Sequence, residues 1–547
     1  MLSLLPLILA CSGENDSPDT QTSAGDSGAH DTAQTVPRDP RFDDLADLLK
    51  SELAKNEALA VSVAVYENGE VIHAEAHGSQ DIAGELEVDT DTLFQLGSVT
   101  KMFTAVGLLQ STESNQLPLA TTLSEVYPES EFALNSTWND GIQLEHLLTH
   151  ESGMFNWFGT QTSPSDGYLQ TWFEEVYFRY AWLMNPSGLF YNYTNPGYMM
   201  AGLVMELLDE DERAYADLMK EDVFQPLGME RTYVRKREAN RDGHFAESRG
   251  YLVNSDGSST YTTISMSDLP EQSHARPAGS GTWSTPTQMM AMADFLLNGN
   301  PDVLEDSVRE QMTQKQVDIH STPFEINYGY GYGITTMDGI VLGETYYPET
   351  IWNHDGATGS FSATFWVLPE KNVAFCILNS GYGTSFEETL QRLLLEFLEP
   401  DGDANPEIPM KEHDASQIPF RVGTYLDDPN FGEVIIRLED DELKVSMPRI
   451  DELGFSYNPT LFMDRDDHWY IQIEGIWNSW LFWGEDNAPS DYIVSRNMVA
   501  TRVPENPSVQ SSTRSGPTRE QFQSFLNQSP SEIPPLLQRL PPATRSR

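Results

Sequence analysis

Two apolar runs set the frame for this chain. Residues 60–66 and 373–379 both read as strands. They stand at opposite ends of a long stretch that reads mostly as helix and loop. Strands of this kind need partners, so the simplest fold brings the two ends into one sheet with helices packed on it and a helical lobe beside it. Local patterns fill in that frame. Residues 42–53 have helical spacing, with Phe42, Leu45, Leu48, Leu49 and Leu53 on one side. A turn over 67–70 leads to a second strand over 71–76. Helices are predicted over 98–110, 172–183, 198–208, 215–223 and 287–297. Strands are predicted over 331–336 and 359–368, with a closing helix over 387–398. The fold class is α/β (α+β): an antiparallel sheet flanked by helices plus an all-α lobe.

The composition shifts over residues 401–409, and beyond them the pattern is β. Segments 433–438 and 443–447 flank an acidic turn, and 469–473, 477–483, 492–494 and 498–503 continue the series. This predicts a small antiparallel barrel or sandwich of about a hundred residues. The expected plan is a leader over 1–11, a disordered tether over 12–39, a first folded domain over 40–403, a β-rich domain over 411–503 and a disordered tail over 504–547.

The 547 residues include 84 acidic and 32 basic side chains, a formal net charge of −52. Such a surface repels phosphate backbones and anionic lipid, so nucleic acid is excluded as a partner. With two cysteines, Cys11 and Cys376, neither a disulfide framework nor a cysteine metal site is expected. Cys376 lies in an apolar strand and reads as a buried, inert thiol. Cys11 ends a short apolar stretch, and Ile8-Leu9-Ala10-Cys11 resembles a bacterial lipobox. The expectation is an extracytoplasmic protein, either a lipoprotein held at the membrane only through lipid on Cys11 or a secreted one.

Three short elements carry chemistry. The first is Ser98-Val99-Thr100-Lys101, the only Ser-x-x-Lys in the chain. Residues three apart share a helix face, so Lys101 can reach Ser98. A serine hydroxyl needs a neighbour to take its proton, and a desolvated lysine can do so. The second is Tyr193-Thr194-Asn195, whose phenol and amide can point into one cleft and shuttle a proton or orient a neighbour. The third is His354-Asp355-Gly356, where the glycine allows close backbone approach. The first two have bland alternatives: a helix cap with a surface lysine, and an aromatic turn. His146 and His150, with Glu145, raise a metal reading, but the His-Glu-x-x-His order is absent. No Gly-x-Ser-x-Gly elbow occurs. Residues 328–333 alternate Tyr and Gly and read as a strand entry beside the cleft.

In this order and spacing the three elements resemble the serine β-lactamase-like superfamily: class C β-lactamases, D-alanyl-D-alanine carboxypeptidases and esterases on the same fold. Leu147-Leu148-Thr149-His150-Glu151-Ser152-Gly153-Met154 and Pro277-Ala278-Gly279-Ser280-Gly281-Thr282-Trp283-Ser284-Thr285 also resemble segments of that family. The likeness covers about residues 42–400, and the β-rich unit resembles, more faintly, lipocalin-like domains appended to such hydrolases. The resemblance implies Ser98 as nucleophile and Lys101 and Tyr193 sharing base and acid work. It implies Asn195 as the residue orienting Lys101 and substrate, with His354 and Gly356 lining the substrate strand. The amides of Ser98 and Ala357 would form the oxyanion hole. It implies no cofactor and no metal.

The triplet departs from the family's Lys-Thr-Gly. A histidine is neutral much of the time near pH 7, so it holds a substrate carboxylate less well than a permanent cation. Asp355 would further disfavour an anionic substrate if it faced the cleft. The expected activity is hydrolysis of a small peptide or ester through an acyl-enzyme, by a peptidase or a carboxylesterase. The alternatives are a β-lactamase and a non-catalytic binding protein on the same scaffold.

Overall fold

A computed structural model describes residues 37–133, 138–157, 159, 161–253, 259–319, 327–343, 345–398, 415–427, 430–465, 468–495 and 498–504. The predicted leader, Cys11, most of the tether, the 401–409 boundary and the tail after Pro504 lie outside the described residues. The described chain starts inside the predicted tether. Pro37 O accepts from Ala74 N at 3.0 Å, and Asp39 caps a short 3₁₀ turn over Pro40–Phe42.

The first sheet joins both ends of the hydrolase-like segment. Its strands are β1 (Ala60–Glu67), β2 (Glu70–Gly78), β3 (Val317–Asp318), β4 (Tyr328–Tyr330), β5 (Thr335–Met337), β6 (Ile351–Ala357), β7 (Ser362–Leu368) and β8 (Val373–Asn379), in the order β2-β1-β8-β7-β6-β5-β4-β3. Every pairing is antiparallel. β1 lies against β8, with Ala64 opposite Cys376. The period-two geometry of a strand then divides the core. Val61, Val63 and Val65 face a layer built on α1 (Leu45–Asn56) and a helix over Glu387–Phe397, through Leu45, Leu49, Leu393 and Leu394. Ala60, Ala64, Phe365, Cys376 and Leu378 face the larger helical lobe. Cys376 is free and buried, and burial pushes its thiol well above the usual range.

Two helices of that lobe position the site. α2 (Thr100–Ser114) is buried on nearly all sides, from Met102 and Phe103 to Leu108 and Leu109. α3 (Asn195–Leu208) packs on it. A helix buried on nearly all sides is held in place by its neighbours, so α2 is a fixed post, and Ser98 stands in the turn just before its first residue.

Several local expectations needed correction. Of the strand expected over 331–336 only residues 335 and 336 are strand, and 331–334 form a reversal: Gly331 N donates to Ile334 O at 2.8 Å, and Gly333 has φ +80°. The helix expected over 172–183 starts at Tyr168, passes through a π turn and ends at Tyr180. His354, Asp355 and Gly356 lie inside strand β6, which the sequence did not reveal. A hairpin of Ser248–Val253 with Ser259–Ile264 also sits within the region read as helical.

The C-terminal segment forms one curled eight-stranded sheet, not a two-sheet sandwich. Its strands are β9 (Gly423–Asp427), β10 (Gly432–Glu439), β11 (Glu442–Ser446), β12 (Phe462–Arg465), β13 (His468–Ile473), β14 (Ile476–Trp483), β15 (Tyr492–Ser495) and β16 (Met498–Arg502). The order is β11-β10-β9-β16-β15-β14-β13-β12. The chain entering β12 turns back onto the opposite edge: Leu461 N donates to Leu443 O at 2.9 Å and Val445 N to Pro459 O at 2.8 Å. Those bonds cover backbone that an open edge would leave exposed. Tyr425, Val434, Ile436, Ile471, Trp480 and Ile493 fill the interior. No helix among the described residues is long and apolar enough to cross a membrane.

Candidate active site

Ser98 lies in a 3₁₀ turn, Gly97–Val99, that leads into α2. Gly97 has φ +53°, and a Cβ there would fall 2.6 Å from Ala357 N. From the other side, a Cβ on Gly356 would lie 2.0 Å from Leu96 O and 3.1 Å from Ser98 N. Only glycine fits either place, and the two together bring the Ser98 turn and the end of β6 into backbone contact. The amides of Ser98 and Ala357, predicted as an oxyanion pair, thus sit at one spot.

Lys101 is fully buried. Its Nζ donates to Ser98 Oγ at 3.0 Å, Asn195 Oδ1 at 2.8 Å and Ala278 O at 2.7 Å. Three acceptors match the three protons of an ammonium, so burial leaves no donor wasted. Tyr193 Oη donates to the same Ser98 Oγ at 2.9 Å. Lys101 Nζ also stands 5.0 Å from the Tyr193 ring centre and 5.7 Å from that of Tyr198, within cation–π range. A cation and a phenol thus converge on one hydroxyl.

Each of these groups is held from behind. Asn195, the first residue of α3, donates through both its N–H and Nδ2 to Asn156 Oδ1, at 3.0 and 3.1 Å. His150 adopts φ +63°. Its Nδ1 accepts from Thr194 N at 3.1 Å, its O accepts from Asn192 N at 2.8 Å, and its ring lies 4.1 Å from that of Tyr193. His150 therefore grips both neighbours of Tyr193 and stacks on the residue between them. His146 Nδ1 accepts from Gln143 N at 3.1 Å, a helix-capping contact. Both histidines of the metal reading thus serve the backbone.

His354 is buried on β6. Its Nδ1 faces Asp355 O at 2.7 Å and its Nε2 faces Tyr330 Oη at 3.2 Å. A carbonyl only accepts, so Nδ1 carries a proton toward Asp355 O, while Nε2 faces a phenol oxygen that can donate or accept. Asp355 alternates to the other face of the strand, where Trp366 Nε1 donates to its Oδ1 at 3.4 Å. It therefore does not oppose an anionic substrate from the His354 side.

The structure brings Ser98, Lys101, Tyr193 and Asn195 into one bonded group, with Gly356 and Ala357 against the Ser98 turn. His354 is tied to Tyr330 on β4, one strand beyond the neighbouring β5. Sequence reasoning missed Asn156, the Ala278 carbonyl, and His150 as a support for Tyr193. A further support lies behind Ala278. Arg276 and Arg235, both almost fully buried, share Asp166. Arg276 also pairs with Glu271 at 2.9 Å, and Arg235 with Asp217 at 2.6 Å.

A serine whose hydroxyl meets a buried lysine and a phenol, on a turn packed against the backbone of Ala357, has the parts that an acylating serine hydrolase needs. A family model described as Beta-lactamase matches residues 45–398, and the chain belongs to that family of serine hydrolases. The chain is similar to unguisins hydrolase ungD' of Aspergillus campestris (strain IBT 28561), with 26% identity over 64% of this chain and 64% of that protein. It thus spans less than two thirds of that relative. It is also similar to penicillin-binding protein 4 of Amycolatopsis lactamdurans, with 26% identity over 61% of this chain and 84% of that protein. Among solved structures, SurE aligns with a TM-score of 0.59 at 19% identity, covering 85% of this chain and 99% of that one. That likeness is one of fold.

Proposed function

We propose that the protein hydrolyses an amide or ester bond of a small peptide or ester through an acyl-enzyme on Ser98, with a peptide-type amide as the first substrate class and a carboxyl ester as the second. The carrying observation is the sharing of Ser98 Oγ between Lys101 Nζ at 3.0 Å and Tyr193 Oη at 2.9 Å. Ser98 Oγ attacks the carbonyl carbon while its proton passes to Lys101, acting in its neutral amine form, directly or by way of the Tyr193 phenol. The carbonyl oxygen becomes an oxyanion between the amides of Ser98 and Ala357, which do not need to reorganise as charge develops. Tyr193 then delivers the proton to the leaving atom. Water, activated by the same phenol, releases the acyl group. The relatives include a hydrolase and a penicillin-binding protein, which agrees with a hydrolytic role.

A histidine at 354 in place of a lysine favours a peptidase or esterase over a β-lactamase, because an imidazole carries no permanent charge to hold a carboxylate. Purified protein should therefore turn over nitrophenyl esters or D-alanyl peptides faster than a chromogenic cephalosporin. His354→Lys should raise cephalosporin turnover about tenfold, the worth of one added charge-assisted contact, while leaving a neutral ester within about twofold. His354→Gln, with no charge, should give no such gain. A wild type that prefers the cephalosporin, or a lysine variant without gain, contradicts this substrate reading.

We also propose an extracytoplasmic site of action, with lipid on Cys11 as the anchor. The lipobox-like Ile8–Cys11 run and the likeness to penicillin-binding proteins support it. Metabolic labelling with a fatty-acid probe, lost in Cys11→Ser, tests it.

A further inference from the structure

The C-terminal sheet touches the first unit through the residues that lead into Tyr193. Met184 and Phe190 form a buried apolar cluster with Val494 and Val499. Phe190 meets Trp483 edge-on at 5.5 Å and Tyr492 at 5.8 Å. Two residues later, Asn192 Nδ2 donates to Ser495 O at 3.3 Å, while Asn192 N donates to His150 O at 2.8 Å. Tyr193 follows directly, with its ring on His150 and its hydroxyl on Ser98.

The chain from Phe190 to Tyr193 is therefore clamped from two sides. His150 holds it from within the helical lobe, and β14, β15 and β16 hold it from the C-terminal sheet. Segments without regular structure are the mobile parts of most proteins, and a proton-transfer group on one of them needs such bracing to keep a reactive geometry. We infer that the C-terminal sheet is part of the catalytic apparatus, with Phe190, Asn192 and Trp483 acting as positioning residues for Tyr193. Among the described residues, the sheet meets the chain just before Tyr193. It fixes the phenol on Ser98, so the hydrolase segment alone would keep all the catalytic side chains and lose their alignment.

This inference rests on the acyl-enzyme reading above. The test uses the full-length protein and the rate at which a fluorophosphonate labels Ser98, resolved into a limiting rate and a half-saturating concentration. Trp483→Ala should lower the limiting rate about ten- to a hundredfold, the usual consequence of a reacting group misplaced by about an ångström, with half-saturation nearly unchanged. It should also change the pH dependence of that rate, because the proton acceptor is displaced. Trp483→Phe keeps a ring against Phe190 and should restore most of the rate. Leu443→Ala weakens the interior of the same sheet away from this contact. It should lower stability while leaving the limiting rate per folded molecule within about twofold. Equal rates in wild type and Trp483→Ala overturn the inference, as does an equal loss in Leu443→Ala. Failure of the wild type itself to label would instead overturn the acyl-enzyme reading, so the two outcomes are distinct.

Discussion

Replacing Lys101 by methionine should lower kcat/KM by about 10⁴-fold, in the range found when a member of a nucleophile–base unit is removed. Lys101 Nζ touches the nucleophile, and it links Ser98 Oγ, Asn195 Oδ1 and Ala278 O. Methionine fills the space and leaves three acceptors without that donor. Folding stability feels two opposed effects. A buried cation no longer has to be desolvated, while each acceptor left unsatisfied costs about 1–3 kcal/mol. The net change in a urea titration should be small beside the loss of activity. Lys101→Arg should not rescue, because a guanidinium is bulkier and does not give up its proton. A methionine variant within about tenfold of wild type would assign the base work to Tyr193 alone.

The largest expected loss of stability lies elsewhere. Asp166 accepts from Arg235 Nε, and it accepts from Arg276 and from Arg237. Removing it in Asp166→Ala leaves two almost fully buried guanidinium groups short of a counter-charge. Breaking a buried pair from one side costs about 3–5 kcal/mol, and the partial exposure of Asp166 puts the expectation at the low end, about 3 kcal/mol. The arginines have other carboxylates: Glu271 and Asp217 remain. The urea midpoint should fall with an unchanged slope. Activity should fall too, because Arg276 stands two residues before Ala278, the acceptor for Lys101. The pH dependence has a definite sign. Burial raises the Asp166 pKa, but hydrogen bonds and charge from Arg235 and Arg276 outweigh it and hold the carboxyl below its ordinary 3.8. Its contribution is therefore complete above that value and is lost as pH falls through the lowered one. Wild type and Asp166→Ala should converge in stability in strong acid. A variant as stable as wild type at neutral pH would contradict the role given to this network.

The parts legible in the sequence were those set by short spacing or by simple period. Ser98 and Lys101 are one helical turn apart, and Tyr193 and Asn195 flank one residue at the start of a helix. The apolar runs of β1 and β8 announced the central pairing. β6 was not legible because Asn353-His354-Asp355-Gly356 has no apolar alternation; pairing with β5 and β7 makes it a strand. The reversal at Gly331–Gly333 was hidden because Tyr-Gly alternation also fits a strand. Asn156 and Ala278 carried no local sign. One meets Asn195 only through tertiary packing, and the other acts through a backbone carbonyl that any residue would supply. His150 stood in a segment already marked as resembling the family, yet its grip on Tyr193 depends on a left-handed backbone that sequence does not display.

Everything proposed for this site turns on Ser98 Oγ as the atom that becomes acylated. Wild-type protein and Ser98→Ala should be treated with a fluorophosphonate, weighed intact by mass spectrometry and mapped by proteolysis. The expected result is a single adduct per wild-type molecule, on the peptide containing Ser98, and none on Ser98→Ala. An unlabelled wild type, an adduct on another residue, or equal labelling of the alanine variant would contradict it.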